Sequence, residues 1–398
     1  MVQRPTYLEK LRRWKDRDVI KVVTGVRRCG KSTLLRLFAQ ELEAGGVEPS
    51  HIITINLEQM ENDRLLDPHA LHEEIVSRAT GEGTHYVFLD EVQNVPDFQR
   101  VVDSLYTRSN IDLYITGSNA LLLGGRLATL LSGRYIEINV LPLSFAEYVS
   151  AFDTNESTTR LYNRYISNGS MPATLQFADN PTDLRDYLSG ILNTVLLKDV
   201  AQRLNAANTI GLGALCTFMF DNVGNLTTVK RISDVMTSQG TKISGNTVAE
   251  YLSAISDSFI FYTAKRYDVR GGRLLKMQEK YYAVDMGMRR FALSGRVRDT
   301  GRILENIIYL ELRRRFGEVY VGRVGDLEID FVVNDENGPA YYQVAESVRS
   351  SETLERELAS LQAVKDNCPK TLITLDDADP SYHDGIRQVN AIDWLLEP

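Results

Sequence analysis

Over the first 150 residues the apolar positions fall in short β-rich runs that alternate with stretches of helical spacing. Val19-Ile20-Lys21-Val22-Val23-Thr24 reads as a buried strand. A glycine-bearing loop follows it directly, and Ser32-Thr33-Leu34-Leu35-Arg36-Leu37-Phe38 then places apolar residues on one helical face. Further strand-like runs lie at 52–57, 86–89, 113–116 and 135–140, each separated by a helix-length segment. This alternation predicts an α/β fold over residues 1–150, a parallel sheet with helices on both faces. Beyond a polar stretch at 153–159, helical patterns dominate residues 151–225 and predict a helical lid. Residues 226–262 read as helix, glycine-bearing turn and helix, and a hairpin with Gly271-Gly272 at its tip follows, so 226–290 predicts a winged helix. Residues 291–398 predict a further α/β domain.

Composition narrows the picture. The 398 residues are 43% hydrophobic and contain no run of 18 or more apolar residues. The N-terminal MVQRPTYLEKLRRWKDRD is charged and lacks an apolar h-region, so neither a membrane span nor a signal peptide is expected, and the expected compartment is the cytoplasm. Cys29, Cys216 and Cys368 are odd in number and far apart, as reduced thiols are, and the five histidines form no zinc pattern with them. The formal net charge of −8 argues against a uniformly basic coat. Residues 263–323 run the other way, with 15 Lys/Arg against 7 Asp/Glu.

The chemistry begins in Gly25-Val26-Arg27-Arg28-Cys29-Gly30-Lys31-Ser32, followed by Thr33. Two glycines let a backbone turn tightly and aim successive N–H groups at a phosphate, and the following helix adds its positive dipole end. In that setting Lys31 reaches the β- and γ-phosphates of ATP, Ser32 places its hydroxyl on Mg2+, and Thr33 begins the supporting helix. Cys29 sits inside the loop, where a tolerated variable position and an oxidation-sensitive thiol are the two readings. The second element is Tyr86-Val87-Phe88-Leu89-Asp90-Glu91. A carboxylate ending a buried strand can hold the Mg2+ side, the role expected of Asp90, and its neighbour Glu91 can polarise the attacking water.

GVRRCGKS, YVFLDE and the YITGSN of 114–119 resemble, in order and spacing, the Walker A, Walker B and sensor-1 elements of AAA+ ATPases of the additional-strand class. The resemblance implies that Asn119 or its neighbour Ser118 orients the lytic water, and that the additional strand is 52–57. LLSGRYIEINVLPLSFAEYV, ISNGSMP, LKDV, TVAEYL, KYYAVDMGMRR and ILENIIYLELRRR are similar to a bacterial and archaeal branch of these ATPases that carries a C-terminal domain of unknown function. It implies a homo-oligomer whose sites are completed by an arginine of the next subunit. Arg134 is the favoured candidate and Arg126 the other, while an ion pair with a nearby carboxylate is the competing role for Arg134.

A winged helix could lay its hairpin on DNA phosphates, with Lys242, Lys265, Arg266, Arg270, Arg273 and Lys276 as sequence-independent contacts. In the last hundred residues Glu305, Asp330 and the strand Tyr341-Tyr342-Gln343-Val344-Ala345 follow the spacing of a restriction-endonuclease-like core. That family needs an acidic residue and a lysine two apart on this strand, and Gln343 and Ala345 supply neither, so a degenerate, inactive domain is expected. Glu346 falls on the wrong face of the strand to compensate. The expectation is Mg-dependent ATP hydrolysis coupled to DNA binding or remodelling. Its competitor is a nucleotide-dependent signalling or defence switch with a protein partner, and an active ATP-dependent nuclease ranks third.

Overall fold

The structure, a computed structural model, describes residues 2–120, 133–152, 155–201, 204, 209–296, 299–335 and 338–397, with the side chains of 276 and 277 left aside. The chain divides into two compact units, Met1–Pro142 with Asp257–Phe259, and Leu143–Ser256 with Ile260–Pro398.

In the first unit, helix α1 (Pro5–Trp14) precedes β1 (Ile20–Thr24), α2 (Lys31–Ala44), β2 (Ile52–Asn56), α3 (Pro68–Arg78), β3 (His85–Asp90), α4 (Phe98–Tyr106), β4 (Ile111–Thr116) and β5 (Tyr135–Asn139). The strands form one sheet in the order β2-β3-β4-β1-β5, with every neighbouring pair parallel. One face packs Val101, Val102 and Leu105 of α4 and Leu71 and Ile75 of α3 against Ile53, Val87 and Leu113. On α2, Phe38 meets the rings of Phe88 and Tyr114 at 6.3 and 5.5 Å. The fully buried Lys21 of β1 is paired with Asp112 of β4, and Tyr114 Oη also donates to Asp112 at 2.9 Å. Strand order corrects one expectation: the strand inserted between the loop-bearing β1 and the acid-bearing β3 is β4, not 52–57, which forms the sheet edge as β2. Hydrophobicity marks each run as a strand but does not say which strands become neighbours.

The second unit opens with α5 (Phe145–Val149), capped reciprocally by Ser144 and Glu147, so the compact division falls after Pro142 where the chain's composition placed it near 150. Then come α6 (Thr158–Asn168), α7 (Pro181–Thr194), a π-helical turn Val195–Ala201, α8 (Thr209–Asp221), α9 (Val229–Ser238) and α10 (Gly245–Asp257). Strands β6 (Phe261–Asp268) and β7 (Arg273–Ala283) form the hairpin, followed by α11 (Met286–Ala292), α12 (Thr300–Phe316), β8 (Val319–Val324), β9 (Leu327–Asp335), β10 (Gly338–Ala345), α13 (Ser351–Gln362), β11 (Lys370–Thr374), β12 (Ser381–His383), β13 (Ile386–Asn390) and α14 (Ala391–Leu396).

The hairpin is not a free-standing wing. β6 pairs in parallel with β8, and the eight-stranded order is β12-β13-β11-β10-β9-β8-β6-β7, so residues 226–290 and 291–398 share one sheet. Two sequence motifs also interlock here. Asp285 caps α11 through Met288 N (2.7 Å) and accepts from Ser170 N and Oγ (2.5 and 2.9 Å). A Cβ on Gly169, where φ is +86°, would lie 2.5 Å from Asp285 Oδ1, which is why ISNGSMP carries a glycine at that point.

Candidate active site

All five strands of the first unit run parallel, so residues 25–30, 90–91 and 116–119 gather at one edge of the sheet, where strands hand over to loops. Gly25 has φ +141°, and a Cβ there would lie 2.2 Å from Val140 O; Gly30 caps α2 in the left-handed region at φ +103°. Both positions require glycine. The loop folds back over α2, so that Lys31 Nζ donates to Gly25 O (3.0 Å) and Val26 O (3.3 Å) and lies 3.9 Å from Glu91 Oε1. Arg27 pairs with Glu58 at 3.1 Å, and Arg28 bends the loop with φ +67°. Cys29 is fully buried and burial pushes its thiol up, which removes the exposed thiolate that an oxidation switch needs.

Asp90 is held from two sides. Its Oδ1 accepts from Thr116 Oγ1 at 2.5 Å and its Oδ2 from Asn56 Nδ2 at 2.9 Å. Glu91 turns out of the strand with φ +56°; its N–H donates to Thr116 Oγ1 at 2.9 Å and its Oε2 accepts from Gln93 Nε2 at 2.5 Å. Ser32 and Asp90 line one cleft of about 540 Å3, together with Thr33, Arg36, Thr54 and Asn56. The pairing of a hydroxyl with a carboxylate is the oxygen donor set that Mg2+ takes beside phosphates, so the residues present fit a nucleotide–Mg2+ complex.

Three contributors were not singled out from the sequence. Thr116 lies two residues before Ser118, and Asn56 ends an edge strand; both are identified only by strand adjacency. Ser118 is buried and Asn119 half-buried just beyond β4. The third is Arg4, almost fully buried, whose guanidinium donates to Cys29 O (3.1 Å) and Leu141 O (2.7 Å) and ties the phosphate loop to the end of the β5 segment.

Arg134 lies elsewhere. It precedes β5 and its carbonyl accepts from Ile20 N, at the sheet edge opposite the loop. Its side chain donates to Asp103 at 2.8 Å and lies over the Tyr106 ring, so it does not serve its own chain's phosphates. Arg126 falls outside the described residues. Of the basic hairpin set, Lys242, Lys265, Arg270 and Arg273 are exposed; Arg266 is tied to Gln278 at 3.0 Å, and the Lys276 side chain lies outside the described residues. Glu305 and Asp330 come together in the second unit, around a lysine taken up below. Among the described residues, no helix is long and apolar enough to cross a membrane.

A glycine loop between β1 and α2, a carboxylate ending β3 and an inserted β4 give the first unit the fold of a P-loop ATPase, and the family model for the AAA domain matches residues 17–149. A second model, a domain of unknown function (DUF8612), matches 159–299. The chain belongs to one family with a Haemophilus influenzae protein, 37% identical over 401 residues that cover 100% of this chain and 99% of the relative. A Methanocaldococcus jannaschii protein is 28% identical over 381 residues, 90% of this chain and 82% of that one. Among solved structures, a Walker-type ATPase of Pyrococcus abyssi shares the fold with a TM-score of 0.53 at 15% identity, covering 73% of this chain and 96% of that one. Neither the AAA domain nor DUF8612 assigns a restriction-endonuclease-like fold to the last hundred residues.

Proposed function

We propose that the first unit hydrolyses ATP, with Mg2+ held between Ser32 and Asp90 and with Glu91 as general base. One observation carries the reading: Lys31 Nζ and Glu91 Oε1 lie 3.9 Å apart at the loop, beside an Asp90 fixed by Thr116 and Asn56. Backbone N–H groups of the loop and the start of α2 bind the phosphates, and Lys31 neutralises charge on the β- and γ-phosphoryl oxygens. Bound Mg2+ supplies further neutralisation of those oxygens. Glu91, oriented by Gln93, takes the proton of the attacking water, and Ser118 or Asn119 helps to place that water. Lys31→Ala should lose ATP binding or turnover, whereas Glu91→Gln should bind ATP and stall. Normal hydrolysis by Glu91→Gln sinks the base assignment.

The wider reading couples this hydrolysis to DNA through the exposed Lys242, Lys265, Arg270 and Arg273, in an oligomer whose neighbours complete each site. Four phosphate contacts correspond to a slope of log affinity against log salt of roughly −3 to −4. The competing reading, a nucleotide-dependent switch that binds a protein, is favoured by slow turnover, tight nucleotide retention and no response to DNA. Turnover measured with and without single-stranded, duplex and branched DNA separates the two.

A further inference from the structure

The second unit contains a lysine buried among carboxylates that the nucleotide chemistry does not use. Lys280, on β7, has a side chain only 6% exposed, and its Nζ lies 3.0 Å from Glu305 Oε1 on α12, 2.9 Å from Glu328 Oε1 and 3.9 Å from Asp330 Oδ1, both on β9. The surroundings hold these acids in place. Tyr282 Oη donates to Glu305 Oε1 at 2.7 Å, and Val344 N to Asp330 Oδ2 at 2.9 Å. Gly224 faces the same carboxylate, since a Cβ there would lie 3.2 Å from Glu305 Oε2. Arg266 Nη2 approaches Glu328 at 4.0 Å.

Three acidic side chains converging on one point from a helix and a strand need a cation or a bound proton to offset their charge. Here the cation is part of the chain. Among the described residues no group of three or more His, Cys, Asp or Glu side chains is arranged to hold a metal ion, although Glu305, Glu328 and Asp330 all face the same ammonium. The neighbouring strand agrees in charge. Gln343 accepts from Asp330 N (3.3 Å) and donates to Glu357 (2.9 Å), so a neutral side chain stands where a further carboxylate would add uncompensated charge.

We propose that the Lys280 ammonium occupies the cation position of the Glu305–Glu328–Asp330 cluster, so that the sheet of the second unit is closed by an internal charge and takes no divalent metal. Removing that charge opens a divalent-cation site. On this reading Glu305 and Asp330, beside Gln343 and Ala345, serve as anchors for β7, not as metal ligands.

The test uses Mn2+ on nucleotide-free, full-length protein, read by equilibrium dialysis and by the thermal unfolding midpoint. Wild type and Asp330→Asn should take up the same amount of Mn2+, and Mn2+ should shift their midpoints equally. Lys280→Met should bind a further Mn2+ at least ~10-fold more tightly than wild type, and its midpoint should rise with Mn2+. Because loss of the ammonium leaves three part-buried acids without their shared cation, Lys280→Met combined with Glu328→Gln carries the same measurement with one charge fewer. Uptake by wild type that is lost in Asp330→Asn overturns the proposal, because the cluster is then a metal site with a lysine beside it. Folded Lys280 variants that gain no Mn2+ also overturn it.

Discussion

The hydroxyl of Thr116 donates to Asp90 Oδ1 at 2.5 Å while accepting the Glu91 N–H at 2.9 Å. One β4 side chain therefore sets both the carboxylate assigned to the metal side and the backbone from which the assigned base projects. Thr116→Val keeps the shape and removes the hydroxyl, leaving the buried Glu91 N–H without its acceptor at a cost of about 1–3 kcal/mol. ATP binding should survive and kcat should fall by roughly 10-fold or more, with Thr116→Ser restoring most of it. Steady-state kinetics beside a nucleotide-binding assay checks this, and a Thr116→Val enzyme with unchanged kcat removes Thr116 from the site.

Arg4 is held in α1's approach to the phosphate loop by carbonyls that include Cys29 O, Leu141 O and Pro142 O. Hydrogen bonds from a charged donor contribute about 1.5–3 kcal/mol, so Arg4→Ala should lower stability by that order and raise the KM for ATP. Arg4→Lys should rescue poorly, because an ammonium cannot reproduce a planar fork of donors. Denaturant unfolding and ATP titration of both variants give the comparison.

At the end of the sheet opposite the loop, Arg134 serves either as an intrachain partner for Asp103 and Tyr106 or as a group presented to another copy of the chain. On the second role, wild-type turnover per chain rises with protein concentration, and in Arg134→Ala it is flat while nucleotide binding is retained. Identical concentration dependence in the two proteins leaves the intrachain contacts, of which the exposed ion pair is worth under about 1 kcal/mol.

Burial, and after it the Glu305 carboxylate, pushes Asp330 up to about 8 despite the opposing Lys280. In the unfolded chain it titrates near the ordinary Asp value of about 3.9. Between those two values the folded state holds the extra proton, so this group's contribution is fully present below about pH 4 and is lost as pH rises through about 8. Stability measured across that window should fall with pH more steeply in wild type than in Asp330→Asn. Parallel curves would show that Asp330 ionises normally in the fold.

Local chemistry is written contiguously, and for that reason the sequence by itself determined the phosphate loop at 25–32, the acids at 90–91 and the run of parallel strands. Each depends on neighbours a few residues away: glycines that permit positive φ, a helix start, a strand that ends in a carboxylate. What only the tertiary structure decided is which strands and side chains meet across long separations. Placing β4 between β1 and β3 brought Thr116 to Asp90 and left 52–57 at the edge, where Asn56 still reaches the same carboxylate. The same holds for Arg4, 25 residues from the loop carbonyl it binds, and for Lys280, which joins Glu305 across 25 residues. A hydrophobic pattern marks which face of a strand is buried, but partner and register follow from the packing of the whole sheet.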